Sequence, residues 1–253
     1  MFPYRDELQA LRRPCVTIAL IAANVLVWLF VQGAGVPHPL VRSICDLGLI
    51  PGELTGAVPA GTSFPLSDGY ACVTVAGRHV FHLFTSMFLH GSWVHLLGNM
   101  WFLWIFGDNV EDAMTRPRFL ALYLLSGLVA ALSQVAASPT SGIPMVGASG
   151  AIAGVMGAYL VLYPTARVYA LVPLGFFLTS IRFPAWVMLL YWAGLQLLNG
   201  LASVGDSTGS GVAFWAHVGG FTIGMILVRP FAVADRVAAR DVRRWRPRRV
   251  LWE

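Results

Sequence analysis

Lysine is absent from this chain, and charge of either sign is scarce. Its 17 basic residues are all arginine, its acidic residues number 12, and charged residues make up 11% against 57% hydrophobic. Ordinary soluble domains carry about 25% charged residues, so the composition excludes that class. A mean hydropathy of +0.69 points to a membrane protein. Three cysteines exclude a disulfide scaffold. No carboxylate falls inside an apolar run and no H-E-x-x-H pair occurs. His90, His95 and Asn99, with His79 or His82, therefore lack the partners of a zinc hydrolase site, and no metal is expected. The soluble-type nucleophile elbow G-x-S-x-G is missing too, because alanine occupies position 151. A transporter would carry charged spans or broken helices in related halves, and the sequence has no internal repeat.

What is present is a series of long apolar runs. Residues 16–31, about 93–107, 118–136, 149–163, 184–202 and 212–228 read as six spans. A bilayer requires roughly 17–25 residues per helix, with shorter ones allowed where a bundle shields them. The expected fold class is an all-α membrane protein with six transmembrane helices. One domain occupies 16–229, between a polar segment 1–15 and a basic tail 230–253. A cleaved signal peptide competes for 16–31, but that run exceeds the usual h-region, so a retained anchor is expected. If the N-terminus is cytoplasmic, an even number of spans puts the C-terminus there too. Only Arg42 and Arg78 of the 17 arginines then lie outside, so the net charge of +5 is a positive-inside pattern rather than a nucleic-acid footprint. The tail, with its arginines from Arg229 to Arg249 and with Trp245 and Trp252, suits anionic lipid headgroups.

The connections carry expectations of their own. An outer loop, 33–79, is rich in Gly and Pro and holds Asp46, Glu53, Asp68, Cys45 and Cys72. An oxidising compartment permits a bridge there, and two free thiols are the equal alternative. The run from Val80 is expected to lie along the outer interface, with Phe81, Phe84 and Phe88 on its lipid or protein face, before turning inward near Gly91. Span two is expected to end in an acidic inner turn, Gly107 to Asp112, facing the arginines that follow. Residues 168–178, broken by Pro173 and Gly175, are too few to span and are expected at the interface or packed under the bundle. Residues 203–211 read as a small polar loop.

The chain is organised around Val146-Gly147-Ala148-Ser149-Gly150-Ala151-Ile152-Ala153-Gly154-Val155-Met156-Gly157. Gly150, Gly154 and Gly157 share one helix face, which lets another backbone come very close. A second run, Ala216-His217-Val218-Gly219-Gly220-Phe221-Thr222-Ile223-Gly224, offers its own small face and a histidine. Polar groups inside spans are expensive and default to function. Besides Ser149 and His217, only His95 and Asn99 qualify clearly. Helix rise puts Ser149 about 21 Å above the inner boundary, His217 and Asn99 about 18 Å, and His95 about 24 Å. Three helices bring their polar groups to one depth.

That convergence points to nucleophilic acyl transfer. A serine hydroxyl is a weak nucleophile until a base within hydrogen-bond reach takes its proton. No acidic residue lies mid-membrane to serve as a third member, so a Ser149–His217 dyad is expected. His95, the Asn99 amide and the Ser149 backbone N–H are the available oxyanion donors. Each residue alone has a duller explanation. Ser149 could be a helix N-cap, His217 a packed histidine, His95 and Asn99 interhelical glue, and the glycines mere packing.

These residues together resemble the rhomboid family of intramembrane serine proteases. The resemblance runs from about His79 to Val228, and span one with Tyr4-Arg5-Asp6 is also similar to bacterial members. Gly147-Ala148-Ser149-Gly150 resembles the family's G-x-S-G nucleophile motif, and His217 before Gly219-Gly220 its catalytic histidine. His95 and Asn99 match the H-x3-N oxyanion pair, His90 a structural histidine, and Glu111 an acidic residue at the inner end of span two. Two departures stand out. Phe81-His82 replaces a common Trp-Arg, and Ala153 stands where some members stack a tyrosine on the histidine, leaving Phe214 or Trp215 as the expected aromatic support. The resemblance implies a rhomboid-like bundle in a bacterial plasma membrane that cleaves transmembrane protein substrates without cofactor or metal. The alternative is a non-catalytic relative that holds client helices in the same groove.

Overall fold

The computed structural model describes residues 2–67, 69–77, 79–174, 177–203 and 212–238. Asp68, Arg78, the core of the 203–211 loop, and the tail from Arg240 with Trp245 and Trp252 lie outside the described residues. Each apolar run is helical, and the helices are mostly longer than the hydropathy pattern requires. Helix α1 (Cys15–Leu26) continues as a π-helical stretch, Val27–Val31. Two short outer helices follow, α2 (Pro37–Leu47) and α3 (Pro51–Thr55), each opened by a proline whose fixed φ suits a first turn. After α4 (His82–Thr85) come α5 (Trp93–Asp112), α6 (Arg116–Ala137), α7 (Ser149–Leu162), α8 (Ala185–Ala202) and α9 (Phe214–Phe231). By length and apolarity α6 and α8 suffice to cross a membrane; α7 and the α1 run are apolar but shorter.

Helix α7 is the hub, with every residue from Gly150 to Tyr159 buried. Its glycine face meets α9 backbone to backbone. A side chain on Gly220 would run into the Gly150 carbonyl, one on Gly224 into the Gly154 carbonyl, and one on Gly157 into the Phe221 carbonyl. Helix α6 closes the third side through small residues: Ala130 opposes Gly150, Ser126 opposes Gly154, and Ser133 opposes Gly219. Ser126 and Ser133 thereby act as packing residues.

The described residues are mostly helical, as expected, and carry two small sheets besides. Strands β1 (Phe2–Asp6), β4 (Arg167–Leu174) and β5 (Phe177–Pro184) form an antiparallel sheet in the order β1-β4-β5. A hairpin of β2 (Ser63–Ser67) and β3 (Tyr70–Val73) lies in the outer segment. The stretch expected to be interfacial is thus half of a β4–β5 ribbon, with Arg167 opposite Pro184 and Leu174 opposite Phe177. Val168, Tyr169, Val172, Thr179, Ile181 and Phe183 are β-branched or aromatic, the types that fit a pleated surface. Strand β1 lies along α5: the Phe2 ring stacks 6.0 Å from that of Trp101, whose Nε1 donates to the Pro3 carbonyl at 2.8 Å.

The acidic end of span two is the last turn of α5, and its Glu111 and Asp112 meet the N-terminal segment. The Glu111 carboxylate accepts from the backbone N–H groups of Val16 and Thr17 at 2.9 and 2.8 Å, and from Thr17 Oγ1 at 2.9 Å. That satisfies donors a helix start leaves unpaired, with a negative charge where the dipole favours one. Asp112 accepts from Leu11 N and pairs with Arg12. Asp6 accepts from Asn109 Nδ2 at 2.8 Å and Tyr159 OH at 2.6 Å, tying β1 to α5 and α7.

The 33–79 segment is folded. Cys45 of α2 and Cys72 of β3 form a disulfide, and Glu53 accepts from Val75 N at 2.8 Å. Leu49 and Met145 exchange backbone hydrogen bonds at 3.0 and 2.7 Å, which seats the turn before α7 on this segment.

Two predictions follow from this packing. Gly224→Ala should lower the thermal midpoint in detergent sharply, because the new methyl meets backbone that cannot move aside. Gly194→Ala in α8, where a Cβ meets nothing within 4 Å, should leave the midpoint unchanged or raise it, with a gain in stability of up to about 1 kcal/mol. Equal effects would remove the close-packing account. Non-reduced peptide mapping should recover the Cys45–Cys72 pair, and Cys45→Ser with Cys72→Ser should cost about 3 kcal/mol.

Candidate active site

The turn into α7 is built around Gly147, whose φ of +127° lies where an L side chain is strained. A Cβ there would also stand 2.8 Å from the His95 ring. Gly147 N donates to the Ser86 carbonyl at 2.9 Å, anchoring the turn to the segment before α5. Ala148, not Ser149, is the N-cap, and it makes no side-chain cap bond. Ser149 is the first helical residue and its hydroxyl is directed elsewhere. Its Oγ lies 2.8 Å from His217 Nε2, so the helix-cap reading of this serine does not describe its contacts.

His217 sits in the first turn of α9. Its other ring nitrogen, Nδ1, is 2.8 Å from Gln196 Oε1 of α8. Among the described residues the ring against His217 is that of Trp192, one turn before Gln196, at 5.7 Å between centroids and tilted 41°. The expected support from Phe214 or Trp215 is therefore corrected: Trp215 points toward Gly200 instead. Neither Trp192 nor Gln196 stands out in a search for nucleophiles and bases. A signal was nevertheless available. Gln196 lies 11 residues after the start of α8, about 16 Å along the helix, which is the depth of the other polar groups.

Helix α5 supplies the facing wall. The Ser92 hydroxyl caps it, accepting from His95 N at 3.1 Å. Gly91 N donates to His95 Nδ1 at 3.4 Å, which leaves the ring proton on Nε2, the nitrogen facing the Gly147 turn. Asn99, one turn on, is buried, and its Nδ2 has no hydrogen-bond partner among the described residues. An unpaired buried donor is costly unless something is to be bound. His90 is fully buried behind them, its ring 5.1 Å edge-on from His95. Its backbone N–H and carbonyl are held by the Gln32 side chain, each bond 2.8 Å.

These groups line one cavity of about 1000 Å³. His95, Asn99 and Phe102 come from α5, Ser149 from α7, Trp192 from α8 and His217 from α9. Gly150 lines it as well, and Gly220 packs against the Gly150 carbonyl. The structure thus brings Ser149, His217, His95, Asn99 and Gly147 to one place, with His90 behind. Phe81 is exposed, and His82 beside it stacks on His79 at 4.9 Å.

Comparison with known proteins identifies a family. The Rhomboid domain family matches residues 77–233, more than half of the chain. The presenilin-associated rhomboid-like protein A of Danio rerio mitochondria is 37% identical over 84 residues, 32% of this chain and 22% of the relative. The rhomboid protease GluP of Bacillus subtilis is 37% identical over 86 residues, 34% of this chain and 16% of the relative. Rhomboid-like protease 5 of Toxoplasma gondii is 31% identical over 182 residues, 66% of this chain and 19% of the relative. The chain thus spans about a fifth of the length of these relatives. The glycine-packed helices, the Ser149 turn and the family match lead to one conclusion: this chain belongs to the rhomboid family.

Proposed function

We propose that this protein is an intramembrane serine endopeptidase that cuts peptide bonds in or beside transmembrane segments of other membrane proteins. The observation that carries the reading is the 2.8 Å approach of Ser149 Oγ to His217 Nε2, a nucleophile and base within hydrogen-bond reach. In the proposed reaction Ser149 Oγ attacks the scissile carbonyl carbon as His217 Nε2 takes its proton. The resulting oxyanion is met by His95 Nε2–H, Asn99 Nδ2–H and the Ser149 backbone N–H. His217 returns the proton to the departing amine, leaving an acyl-enzyme. Water, activated by the same nitrogen, then releases the acid and restores the serine.

The membrane part of the proposal is a six-span bundle over 16–229, made of α1 with its π-helical continuation, α5, α6, α7, α8 and α9. Segments 1–15 and 230–253 lie on the cytoplasmic side of a bacterial plasma membrane, and the tail contacts anionic lipid. The arginine distribution supports this orientation. A regular helix hides its carbonyl carbons within its own hydrogen bonds, so substrates with small or helix-breaking residues near the cut should be preferred.

The chemistry is tested with purified protein in liposomes and a single-span reporter substrate. Ser149→Ala and His217→Ala should reduce cleavage to background without loss of fold. His95→Ala or Asn99→Ala should each lose about 10²–10³ in rate. Chelators should have no effect. Cleavage by Ser149→Ala at the wild-type rate would refute the assignment. Topology is tested separately, by reporter fusions after Arg249 and within residues 50–70. These should report opposite sides of the membrane; reporters on one side would end the six-span arrangement.

A further inference from the structure

Helix α8 is apolar along its length apart from two amide side chains, Gln196 and Asn199. An amide in such a helix is costly unless a partner satisfies it. Gln196 has one, and the partner is the histidine of the site. Trp192, Gln196 and Gly200 lie at i, i+4 and i+8, one face of α8, and all three meet α9. Trp192 packs on the rings of His217 and Phe221 at 5.7 and 6.0 Å. Gly200 leaves room for Phe214 and Trp215. Gln196 presents its carbonyl oxygen 2.8 Å from His217 Nδ1.

A carbonyl oxygen can only accept a hydrogen bond. The ring proton of neutral His217 therefore belongs on Nδ1, donated to Gln196. Nε2 is then a lone pair, and it lies 2.8 Å from Ser149 Oγ, where it accepts the serine hydroxyl. With the proton on Nε2 instead, the Gln196 carbonyl would face a second lone pair, and the nitrogen beside Ser149 could take no proton.

We propose that Gln196 is a positioning residue of the hydrolytic array: it holds His217 in the Nδ1–H tautomer and orients the ring on Ser149. The proposal rests on Ser149 as nucleophile and His217 as base. It replaces the expected dyad with a three-membered array whose third group is neutral. The role is the one a buried carboxylate has in soluble serine hydrolases, without a charge to desolvate. When His217 takes the serine proton, both its N–H groups have partners: Nδ1–H with Gln196, and Nε2–H with the serine oxygen or leaving amine.

The test uses the full chain in liposomes with the single-span reporter, comparing wild type, Gln196→Leu, Gln196→Glu, Ser149→Ala and His217→Ala. Leucine keeps the volume and removes the acceptor. Gln196→Leu should lower kcat by about 10- to 100-fold with KM and thermal midpoint unchanged. Gln196→Glu, which keeps an acceptor, should recover most of that rate and move the acid limb of the pH profile upward. Nitrogen-15 NMR of ring-labelled histidine, assigned by the His217→Ala difference, reads the tautomer directly. Wild type should give a protonated Nδ1 and an unprotonated Nε2, and Gln196→Leu should mix the two forms. If Gln196→Leu also loses stability, the NMR tautomer and the Gln196→Glu rate decide. Wild-type kcat and an unchanged tautomer in Gln196→Leu would overturn this proposal alone. Undiminished cleavage by Ser149→Ala or His217→Ala would instead remove the reading beneath it.

Discussion

Contact between two backbones, without side chains in between, is the constraint on which the structure depends. Where α7 and α9 meet, carbonyl groups of one helix occupy space that any Cβ of the other would need. Ordinary helix pairs stand about 8–10 Å apart because side chains separate them. Glycine faces remove that spacer, and they also fix register, since Gly220 sits on the Gly150 carbonyl and Gly224 on that of Gly154. His217 lies about one turn before Gly220 on α9, and Ser149 directly precedes Gly150 on α7. Their hydrogen bond is thus held by the same packing that holds the helices together, and a slip of one residue would carry the imidazole away from the hydroxyl.

The rest of the fold serves that contact from two ends. On one side, the turn before α7 is paired to Leu49 and Ser86, so the disulfide-linked outer segment sets the angle at which Gly147 delivers Ser149. On the other, Glu111 closes the start of α1 while Asp6 joins β1 to Asn109 and Tyr159. Helices α1, α5 and α7 are thereby locked through the buried Glu111 carboxylate, whose two oxygens both accept from α1, and through the half-buried Asp6. Such groups are costly to bury when unpaired and specific when paired.

How much of this the sequence discloses depends on which signal each element carries. The helices are legible because apolar runs of the right length report themselves, and the glycines at i, i+4 and i+7 name the close face. The β1-β4-β5 sheet is not, because its apolar and polar residues do not alternate, and an apolar strand then looks like a short helix. The Glu111 contact is not legible either, because attraction to the arginines that follow is a nearest-in-sequence argument. The unpaired N–H groups of α1, far away in the chain, are a better sink for a carboxylate than exposed guanidinium groups. In the site, Ser149, His217, His95 and Asn99 announce themselves as polar groups at one depth. Gln196 shares that depth, yet a glutamine among Trp192, Leu195 and Leu197 has no chemistry of its own to attract notice. Trp192 is illegible for a related reason: proximity in sequence points to the aromatics beside His217 on α9, whereas the ring packing is made across helices.

The neutrality of the array follows from its surroundings. A carboxylate beside His217 would have to be stripped of water, a penalty of several kcal/mol even after relaxation. An amide carbonyl costs far less to bury and still accepts a strong hydrogen bond from Nδ1–H. What it gives up, in the proposed reaction, is part of the electrostatic stabilisation of the imidazolium formed when the serine proton moves. That loss is offset by position: the ring is fixed between Trp192 and Ser149 before reaction, so little reorganisation accompanies proton transfer. Low-dielectric surroundings strengthen each remaining dipole in the site, including the unpaired Asn99 Nδ2 and the His95 Nε2–H. A set of uncharged donors and acceptors, held by glycine-packed helices, is the arrangement that an apolar medium would favour for the proposed chemistry.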